Sequence, residues 1–187
     1  MHTTTNILGV VLCGGQSTRM GSDKGLLKQN EFTWSELAFQ KLKTLNIPVA
    51  VSINPSQEND YQKIFSPEQL IIDQALPNIG GPLLGLLNVH QKFPSHDLLV
   101  LACDMINMKT EVLQHLISQH SSGITIFKNE KFPEPLCGIY SSEALKKISS
   151  LPLQKSSMMY ILEISQTKTI EIKEKWKEYF ENKNTMN

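Results

Sequence analysis

The chain has 187 residues, 40% of them hydrophobic and 19% charged, a length and composition typical of one globular domain with a sizeable core. Its 18 lysine and arginine residues balance 18 aspartate and glutamate residues, so the formal net charge is zero. A general nucleic-acid-binding protein needs a basic surface. This balance therefore argues against nucleic acid as a partner and leaves room only for a local basic pocket.

Cysteine spacing and the lack of long apolar stretches bear on location. Cys13, Cys103 and Cys137 have neither CxxC nor paired spacing, which favours buried free thiols in a reducing compartment over a zinc site or a disulfide framework. The amino terminus lacks the features of a signal peptide, and no window approaches the roughly 18 apolar residues of a membrane span. We therefore expect a cytoplasmic protein without a membrane partner, folded as a single domain over residues 1–187.

Apolar runs alternate with amphipathic segments along the whole chain. The run ILGVVLC is nearly all apolar, which is typical of a strand buried on both faces. Trp34, Leu42 and Leu45 belong to a set of residues with helical spacing. The predicted order is strand 7–13, helix 34–45, strands 48–53 and 70–72, helix 83–90, strand 98–102, helix 110–119, strands 124–127 and 136–140, helices 142–149 and 157–165, and strand 169–172.

This order predicts an α/β protein of three layers, with a mostly parallel, Rossmann-like sheet and helices on both faces. The late strands could include an antiparallel strand at an edge. The last dozen residues, from Trp176, are polar, and we expect them to be loosely held. Ligands of open parallel sheets bind beyond the carboxyl ends of the strands, so the residues that directly follow each strand are the candidates for function.

A glycine-rich loop, LCGGQSTRMGSDKGLL at residues 12–27, follows the first predicted strand. Gly14 and Gly15 can adopt positive φ at little cost, which lets successive backbone N–H groups point at one anion. Ser17 adds a hydroxyl, and Arg19 and Lys24 add fixed positive charge suited to a triphosphate and a leaving pyrophosphate. The spacing matches neither GxxxxGK[ST] nor GxGxxG. We interpret the loop as a phosphate-binding loop rather than a simple tight turn.

Polar residues also follow the other predicted strands. Ser52 and Asn54 lie at the end of the second strand, Asp73 follows LII, and Asp104 follows LLVLAC. Asp104 is either the cap of the next helix or a ligand of Mg²⁺, which on nucleotides typically takes one or two carboxylates plus phosphate oxygens. Asp73 is suited to a metal, to an acceptor substrate or to a turn. Its residue type and position do not decide between these.

The loop resembles the LAGGxSxRMGxDK signature of the molybdenum cofactor guanylyltransferases, with Cys13 in place of the usual alanine. Later segments follow in the family's order: IID ending at Asp73, GGPLLGLL (80–87), LLVLACD ending at Asp104, EPLCGIY (134–140) and FENKNT (180–185). The family usually has Asn-x-Asn after the second strand, where this chain has Ser52 and Asn54. The resemblance spans nearly the whole chain and is strongest in residues 7–27.

The resemblance implies a nucleotidyltransferase fold and the transfer of GMP from GTP to a phosphate of molybdopterin or the molybdenum cofactor, with Mg²⁺ and release of pyrophosphate. It implies that Lys24 binds phosphates and that Asp104 holds Mg²⁺, while the charge of Arg19 is suited to assist both in catalysis. It also implies transient contact with molybdoenzyme maturation proteins. The nucleotide-binding set is Leu12, Cys13 and Gly14 through main chain, together with Gly15, Lys24, Ser52, Asn54 and Asp73.

Gly14 points to guanine, because relatives that transfer cytidylyl groups to the same cofactor tend to read AAG at this place. Two other hypotheses stay open. One is a cytidylyl- or sugar-phosphate nucleotidyltransferase, which thermal stabilisation by GTP, CTP and UTP would distinguish. The other is a non-catalytic nucleotide-binding paralogue, which would bind GTP without releasing pyrophosphate.

Overall fold

The computed structural model describes residues 6–14, 23–153 and 155–181. The strands are β1 (Ile7–Leu12), β2 (Lys28–Gln29), β3 (Phe32–Thr33), β4 (Val49–Ile53), β5 (Leu70–Ile72), β6 (Asp97–Ala102), β7 (Ile124–Lys128), β8 (Pro133–Tyr140) and β9 (Thr167–Glu171). The helices are α1 (Trp34–Lys43), α2 (Glu58–Tyr61), α3 (Gly81–Lys92), α4 (Thr110–Gln119), α5 (Ser142–Ser150) and α6 (Met158–Ile164). Short 3₁₀ helices span Lys24–Leu26, Pro55–Gln57, Pro67–Gln69 and Glu174–Phe180. Within these described ranges, no helix has the length and apolar character needed to cross a membrane.

Seven strands form one sheet in the order β5-β4-β1-β6-β8-β7-β9, and β2 pairs with β3 in a separate hairpin. β1 is parallel to β4 and β6, and β4 is parallel to β5. β8 runs antiparallel to both of its neighbours, whereas β9 is parallel to β7. The mostly parallel α/β sheet is confirmed. The antiparallel strand was expected at an edge and instead lies inside the sheet, because a short connection joins β7 to β8 as a hairpin and β8 inserts beside β6.

Side chains of β1 alternate between two apolar layers, one on each face of the sheet. Ile7 and Val11 belong to the first layer, with α1, α4 and the carboxyl-terminal 3₁₀ helix. Leu8, Val10 and Leu12 belong to the second, with α3, α5 and α6. The three-layer prediction is confirmed, and all six residues of β1 are buried as its apolar run predicts.

Two helices on opposite faces begin at recognisable local signals. At the start of α1, Thr33 Oγ1 accepts from the Glu36 amide at 3.2 Å, and the Glu36 carboxylate accepts from the Thr33 amide at 2.8 Å. This capping box satisfies two N–H groups that the helix itself cannot pair. α3 begins after Gly80 with Pro82 in its first turn, where a missing N–H costs little. Both helices were predicted, and their ends differ from the predicted ends by two residues or fewer.

The segment after β9 is packed against the core over its described part. The expectation that it is loosely held was therefore wrong for residues 176–181, and residues 182–187 lie outside the described residues. Trp176 is 4% exposed and Phe180 is 9% exposed. Both rings contact Phe127, with centroids 6.2 Å and 5.0 Å away, respectively. Trp176 Nε1 also donates to Glu111 Oε1 at 2.9 Å. Trp176 and Phe180 lie four residues apart in a polar segment, and Tyr179 packs partly buried against the same core, which is why composition alone hides the contact.

Candidate active site

The carboxyl ends of β5, β4, β1 and β6 lie side by side at one edge of the sheet. Hydrogen bonds continue the strand pairing beyond the ends of the strands. The Cys13 amide donates to the Ser52 carbonyl at 2.9 Å, and the Cys103 amide donates to the Leu12 carbonyl at 3.2 Å. This pairing fixes the ends of β1 and β6, so that Gly14 and Asp104, which follow them, lie at the same edge of the sheet.

Lys24 and Asp104 form an ion pair at this edge. Lys24 Nζ lies 3.1 Å from Asp104 Oδ2, and the two side chains are 24% and 18% exposed, respectively. Lys24 begins the 3₁₀ helix that Asp23 caps, whereas Asp104 follows β6. The cap of α4 is Lys109, so the alternative in which Asp104 caps that helix is excluded. A cation suited to phosphate and a carboxylate suited to a metal are therefore held together before any substrate binds.

Ser52 and Asp73 form a buried pair one strand away. The Ser52 hydroxyl donates to Asp73 Oδ1 at 3.0 Å, and neither side chain is more than 6% exposed. Burial raises the pKa of Asp73 to about 6, against the opposing effect of the Ser52 hydrogen bond. Ser52 is fully covered, and its hydroxyl is engaged by Asp73.

Two glycines leave room for this pair. A Cβ on Gly14 would lie 2.9 Å from Asp73 Oδ2, and a Cβ on Gly85 of α3 would overlap Ser52 Oγ. The positive-φ glycines of the described part of the chain do not include Gly14. Gly14 therefore does not use the positive φ that a glycine can adopt. A glycine is needed there because the carboxylate from β5 approaches closely.

The Asp23 carboxylate is the centre of a hydrogen-bond network. Its Oδ1 accepts from the Gly25 amide at 2.9 Å and from the Tyr61 hydroxyl at 3.2 Å. Its Oδ2 accepts from Gln57 Nε2 at 2.6 Å, and the same nitrogen donates to the Cys13 carbonyl at 3.0 Å. Cys13 and Asp23, which flank the segment 14–22, are thus joined through one side chain.

Asn54, a predicted nucleotide contact, is engaged in the turn after β4. Its side-chain oxygen accepts from the Ser56 amide at 2.9 Å and from the Ser56 hydroxyl at 2.6 Å. The backbone N–H of Asn54 donates to Gln57 Oε1 at 2.8 Å, which completes a capping box. Neither Gln57 nor Tyr61 was predicted to be a functional residue. The spacing of Asn54 and Gln57 is the capping-box signal that points to an ordered Gln57.

The structure describes only part of the predicted loop. The main chains of Leu12 and Cys13 are buried and hydrogen-bonded to neighbouring strands and to Gln57. Gly14, the next residue, is half-buried. Gly15, Ser17 and Arg19 lie outside the described residues, and so do Asn182 and Asn184 of the FENKNT segment. The roles assigned to these residues stay predictions.

Among the residues that the structure describes, no cluster of three or more His, Cys, Asp or Glu side chains is arranged to hold a metal ion. Asp104 provides one carboxylate at the sheet edge, beside Lys24. Mg²⁺ on nucleotides is commonly bound by one or two carboxylates, and phosphate oxygens and water complete its shell. Asp104 therefore fits a metal that binds together with a nucleoside triphosphate.

The fold and this edge together define an α/β nucleotidyltransferase, in which nucleotide phosphates bind beyond the carboxyl ends of the parallel strands. The model of the MobA-like NTP transferase domain matches residues 9–170, well over half of the chain. The chain therefore belongs to the MobA-like NTP transferase family. The resemblance seen in the loop sequence is confirmed.

Individual relatives agree with this family. A protein from Flavobacterium johnsoniae, named a probable molybdenum cofactor guanylyltransferase, is 34% identical over 165 residues, which cover 87% of this chain and 82% of the relative. Molybdopterin-guanine dinucleotide biosynthesis protein A from Archaeoglobus fulgidus superposes with a TM-score of 0.75 at 23% identity, covering 95% and 92% of the two chains, respectively. A Mycobacterium tuberculosis protein in complex with manganese superposes with a TM-score of 0.67 at 13% identity, covering 91% and 89%. At these identities the two structures support the fold alone.

Proposed function

We propose that this chain is a molybdenum cofactor guanylyltransferase, which transfers GMP from GTP to the phosphate of molybdopterin or the molybdenum cofactor. The observation that carries this proposal is the Lys24–Asp104 pair, 3.1 Å apart at the carboxyl edge of the sheet. It provides a cation for phosphate and a carboxylate for a divalent metal at one place. The relative that is 34% identical is named for this activity, which supports the choice of substrates.

The reaction is a substitution at the α-phosphorus of GTP. An oxygen of the acceptor phosphate forms a bond to this phosphorus, and the bond from the phosphorus to the oxygen that bridges to the β-phosphate breaks. The electron pair of the broken bond leaves with pyrophosphate. The acceptor phosphate is already an anionic nucleophile at neutral pH, so the reaction needs no general base. Its catalysis rests on positioning and charge stabilisation.

The chain's own residues supply this positioning and charge. Lys24 binds phosphate oxygens and offsets the negative charge that grows on the leaving pyrophosphate. Arg19 adds a second positive charge from the same loop. Asp104 holds Mg²⁺, which when bound supplies Lewis-acid stabilisation of the phosphates. The M. tuberculosis neighbour in complex with manganese supports a divalent metal in this fold.

We place the guanosine part of GTP at the ends of β1, β4 and β5. The residues assigned to nucleotide binding are Leu12, Cys13, Gly14, Gly15, Lys24, Ser52, Asn54 and Asp73. Gly14 supports guanine over cytosine by its place in the sequence. Its missing Cβ also leaves the Asp73 carboxylate undisturbed. Ser52 acts through Asp73, to which it donates a hydrogen bond.

We also propose that residues 1–187 form one catalytic domain in the cytoplasm, in transient contact with molybdoenzyme maturation proteins. The family match over residues 9–170 supports one domain. All three cysteines are free thiols buried in the fold, as is usual in a reducing compartment. Pull-down of maturation proteins by the purified chain tests the contact.

Identification of the product tests the proposed function. The protein is incubated with Mg²⁺, molybdopterin or its molybdenum form, and an equimolar mixture of GTP, CTP and UTP, and the products are identified by mass spectrometry. The guanine dinucleotide is the expected product. A cytosine dinucleotide, or a nucleotide sugar when sugar phosphates replace the pterin, would show a different nucleotidyltransferase.

A further inference from the structure

Both polar atoms of the Gln57 side-chain amide form hydrogen bonds with segments of the candidate active site. Nε2 donates to the Cys13 carbonyl at 3.0 Å and to Asp23 Oδ2 at 2.6 Å. Oε1 accepts from the Asn54 amide at 2.8 Å. The residue is 8% exposed, so these bonds form where water does not replace them. One side chain therefore connects the end of β1, the turn after β4 and the residue beside Lys24.

We propose that Gln57 is a positioning residue for nucleotide binding and transfer. Its amide ties Cys13 to Asp23 across the glycine-rich segment 14–22 and thereby holds Lys24 beside Asp104. This inference rests on the proposed function, because it assigns Lys24 to the nucleotide phosphates. Gln57 itself reaches no reacting atom in this assignment, and it acts through the residues that it connects.

Asp23 connects the side-chain amide of Gln57 to Lys24. Asp23 caps the 3₁₀ helix Lys24–Leu26 by accepting from the Gly25 amide at 2.9 Å. Tyr61 supports the same carboxylate from α2, and burial raises the pKa of its hydroxyl, which therefore keeps its proton and donates. A displacement of Asp23 moves the turn that begins at Lys24.

The tie also fixes the separation of Cys13 and Asp23, which lie on either side of the segment 14–22. A bond that joins the two ends of a loop excludes chain conformations in which those ends separate. We therefore expect loss of the tie to weaken nucleotide binding as well as turnover.

The chemistry of residue 57 suggests two substitutions. Gln57→Met keeps the approximate volume and removes all three hydrogen bonds. Gln57→Glu keeps the shape, but an ionised carboxylate cannot donate, and it would face the Asp23 carboxylate that Gln57 now contacts at 2.6 Å. Protonation of either carboxyl relieves this repulsion and restores one donor. Gln62→Met is the matched control, because Gln62 is exposed on the same segment and its side-chain amide donates to Glu58 rather than to a residue of the active site.

The first measurement is nucleotide affinity by titration calorimetry, with GTP and Mg²⁺, on variants whose folded state is verified by circular dichroism and thermal unfolding. We expect Gln57→Met to raise the dissociation constant by about tenfold or more, as displacement of a phosphate-binding group does. Gln62→Met should bind GTP as the parent protein does. Tyr61→Phe, which removes one donor to Asp23, should give a smaller loss in the same direction and serves as the second variant if Gln57→Met does not fold.

Two further readouts separate positioning from a general structural role. In a background that carries Lys24→Ala, Gln57→Met should add less than about threefold to the loss of affinity, because its effect passes through Lys24. The activity of Gln57→Glu relative to the parent protein should rise as the pH falls from about 8 to about 6, whereas that of Gln57→Met should stay constant.

The outcomes distinguish this proposal from the proposed function. Unchanged GTP affinity in folded Gln57→Met, or losses that add fully to those of Lys24→Ala, would overturn the role of Gln57. A parent protein that binds GTP but makes no dinucleotide would overturn the proposed function, and the affinity measurements would still decide the role of Gln57. A parent protein that binds no nucleotide would overturn both.

Discussion

We assign Lys24 and Asp104 to catalysis rather than to the stability of the fold. Their side chains are 24% and 18% exposed, respectively, and ion pairs near the surface contribute between about 0 and 1 kcal/mol. The chain nevertheless holds them 3.1 Å apart at the end of the sheet where ligands of this class of fold bind. A pair that contributes little to folding can be removed without loss of the fold, which allows its proposed catalytic role to be tested separately from stability.

Lys24→Ala and Asp104→Ala should each lower kcat/KM for GTP by about 100-fold, which corresponds to about 3 kcal/mol of transition-state stabilisation. Steady-state kinetics measures this loss, and urea unfolding should show a change of less than about 1 kcal/mol. The matched control is the exposed pair of Lys63 and Asp60, 2.6 Å apart, whose alanine variants should keep full activity. Near-normal turnover in Lys24→Ala or Asp104→Ala would contradict their assignment.

Asp73 is held in an environment that favours its protonated form. Burial raises its pKa to about 6, whereas an aspartate in an unfolded chain titrates near about 3.9. The folded protein therefore binds a proton more tightly than the unfolded chain between these two pH values. The contribution of Asp73 to stability is complete below about pH 4 and is lost as the pH rises through about 6.

Replacement of Asp73 by asparagine tests this linkage. Without nucleotide, the free energy of unfolding of the parent protein should fall as the pH rises from about 4 to about 7. This fall should exceed that of Asp73→Asn by as much as about 3 kcal/mol. Urea unfolding at several pH values measures the difference, in which the titrations common to both proteins cancel. Parallel pH profiles for the two proteins would show that Asp73 is not in the buried, desolvated state described above.

At the scale of elements, the sequence predicts those with long periodic patterns and misses those that depend on contacts far along the chain. The strands at Ile7–Leu12 and Asp97–Ala102 and the helix at Thr110–Gln119 follow from apolar runs and helical spacing. The β2–β3 hairpin has strands of two residues, too short for any pattern. The burial of Trp176 depends on Phe127, which lies about fifty residues earlier.

Trp176→Ala tests whether the carboxyl-terminal 3₁₀ helix is part of the core. We expect it to lower the free energy of unfolding by about 3–5 kcal/mol, the usual cost of removing a buried large aromatic side chain. Chemical unfolding measures this loss, with Glu178→Ala, on the exposed side of the same helix, as the control. GTP affinity should change little, since Trp176 packs on β7, which lies three positions from β1 in the sheet. Unchanged stability would mean that this helix is only loosely attached.

In the whole molecule, the order of strands and helices predicts that residues following the parallel strands lie at one edge of the sheet. Asp104 and the loop after β1 were placed together because parallel strands end on the same side. The particular partners were not predictable: the Lys24–Asp104 contact spans 80 positions, and the Gln57–Cys13 contact spans 44. Such contacts depend on side-chain packing, for which a single sequence contains no periodic signal. The close approach of Asp73 to Gly14 was likewise not predictable, because Asp73 comes from another strand.

The assembled site should select its nucleotide before any chemistry occurs. With Mg²⁺, GTP at about a hundred times its dissociation constant should raise the unfolding temperature by about 5–10 °C, and the same concentration of CTP or UTP should raise it less. A thermal unfolding series with the three nucleotides measures this preference. Equal shifts with all three, or the largest shift with CTP, would contradict the assignment of guanine.

Pyrophosphate release reports the bond that this site is proposed to break, the one between the α-phosphorus of GTP and the oxygen that bridges to the β-phosphate. The protein is supplied with GTP and Mg²⁺, with and without molybdopterin or its molybdenum form, and pyrophosphate is followed with a coupled enzyme assay. We predict sustained release that requires both GTP and the pterin acceptor. Binding of GTP without release of pyrophosphate in the presence of the acceptor would contradict the proposed GMP transfer. It would indicate a nucleotide-binding protein without transferase activity.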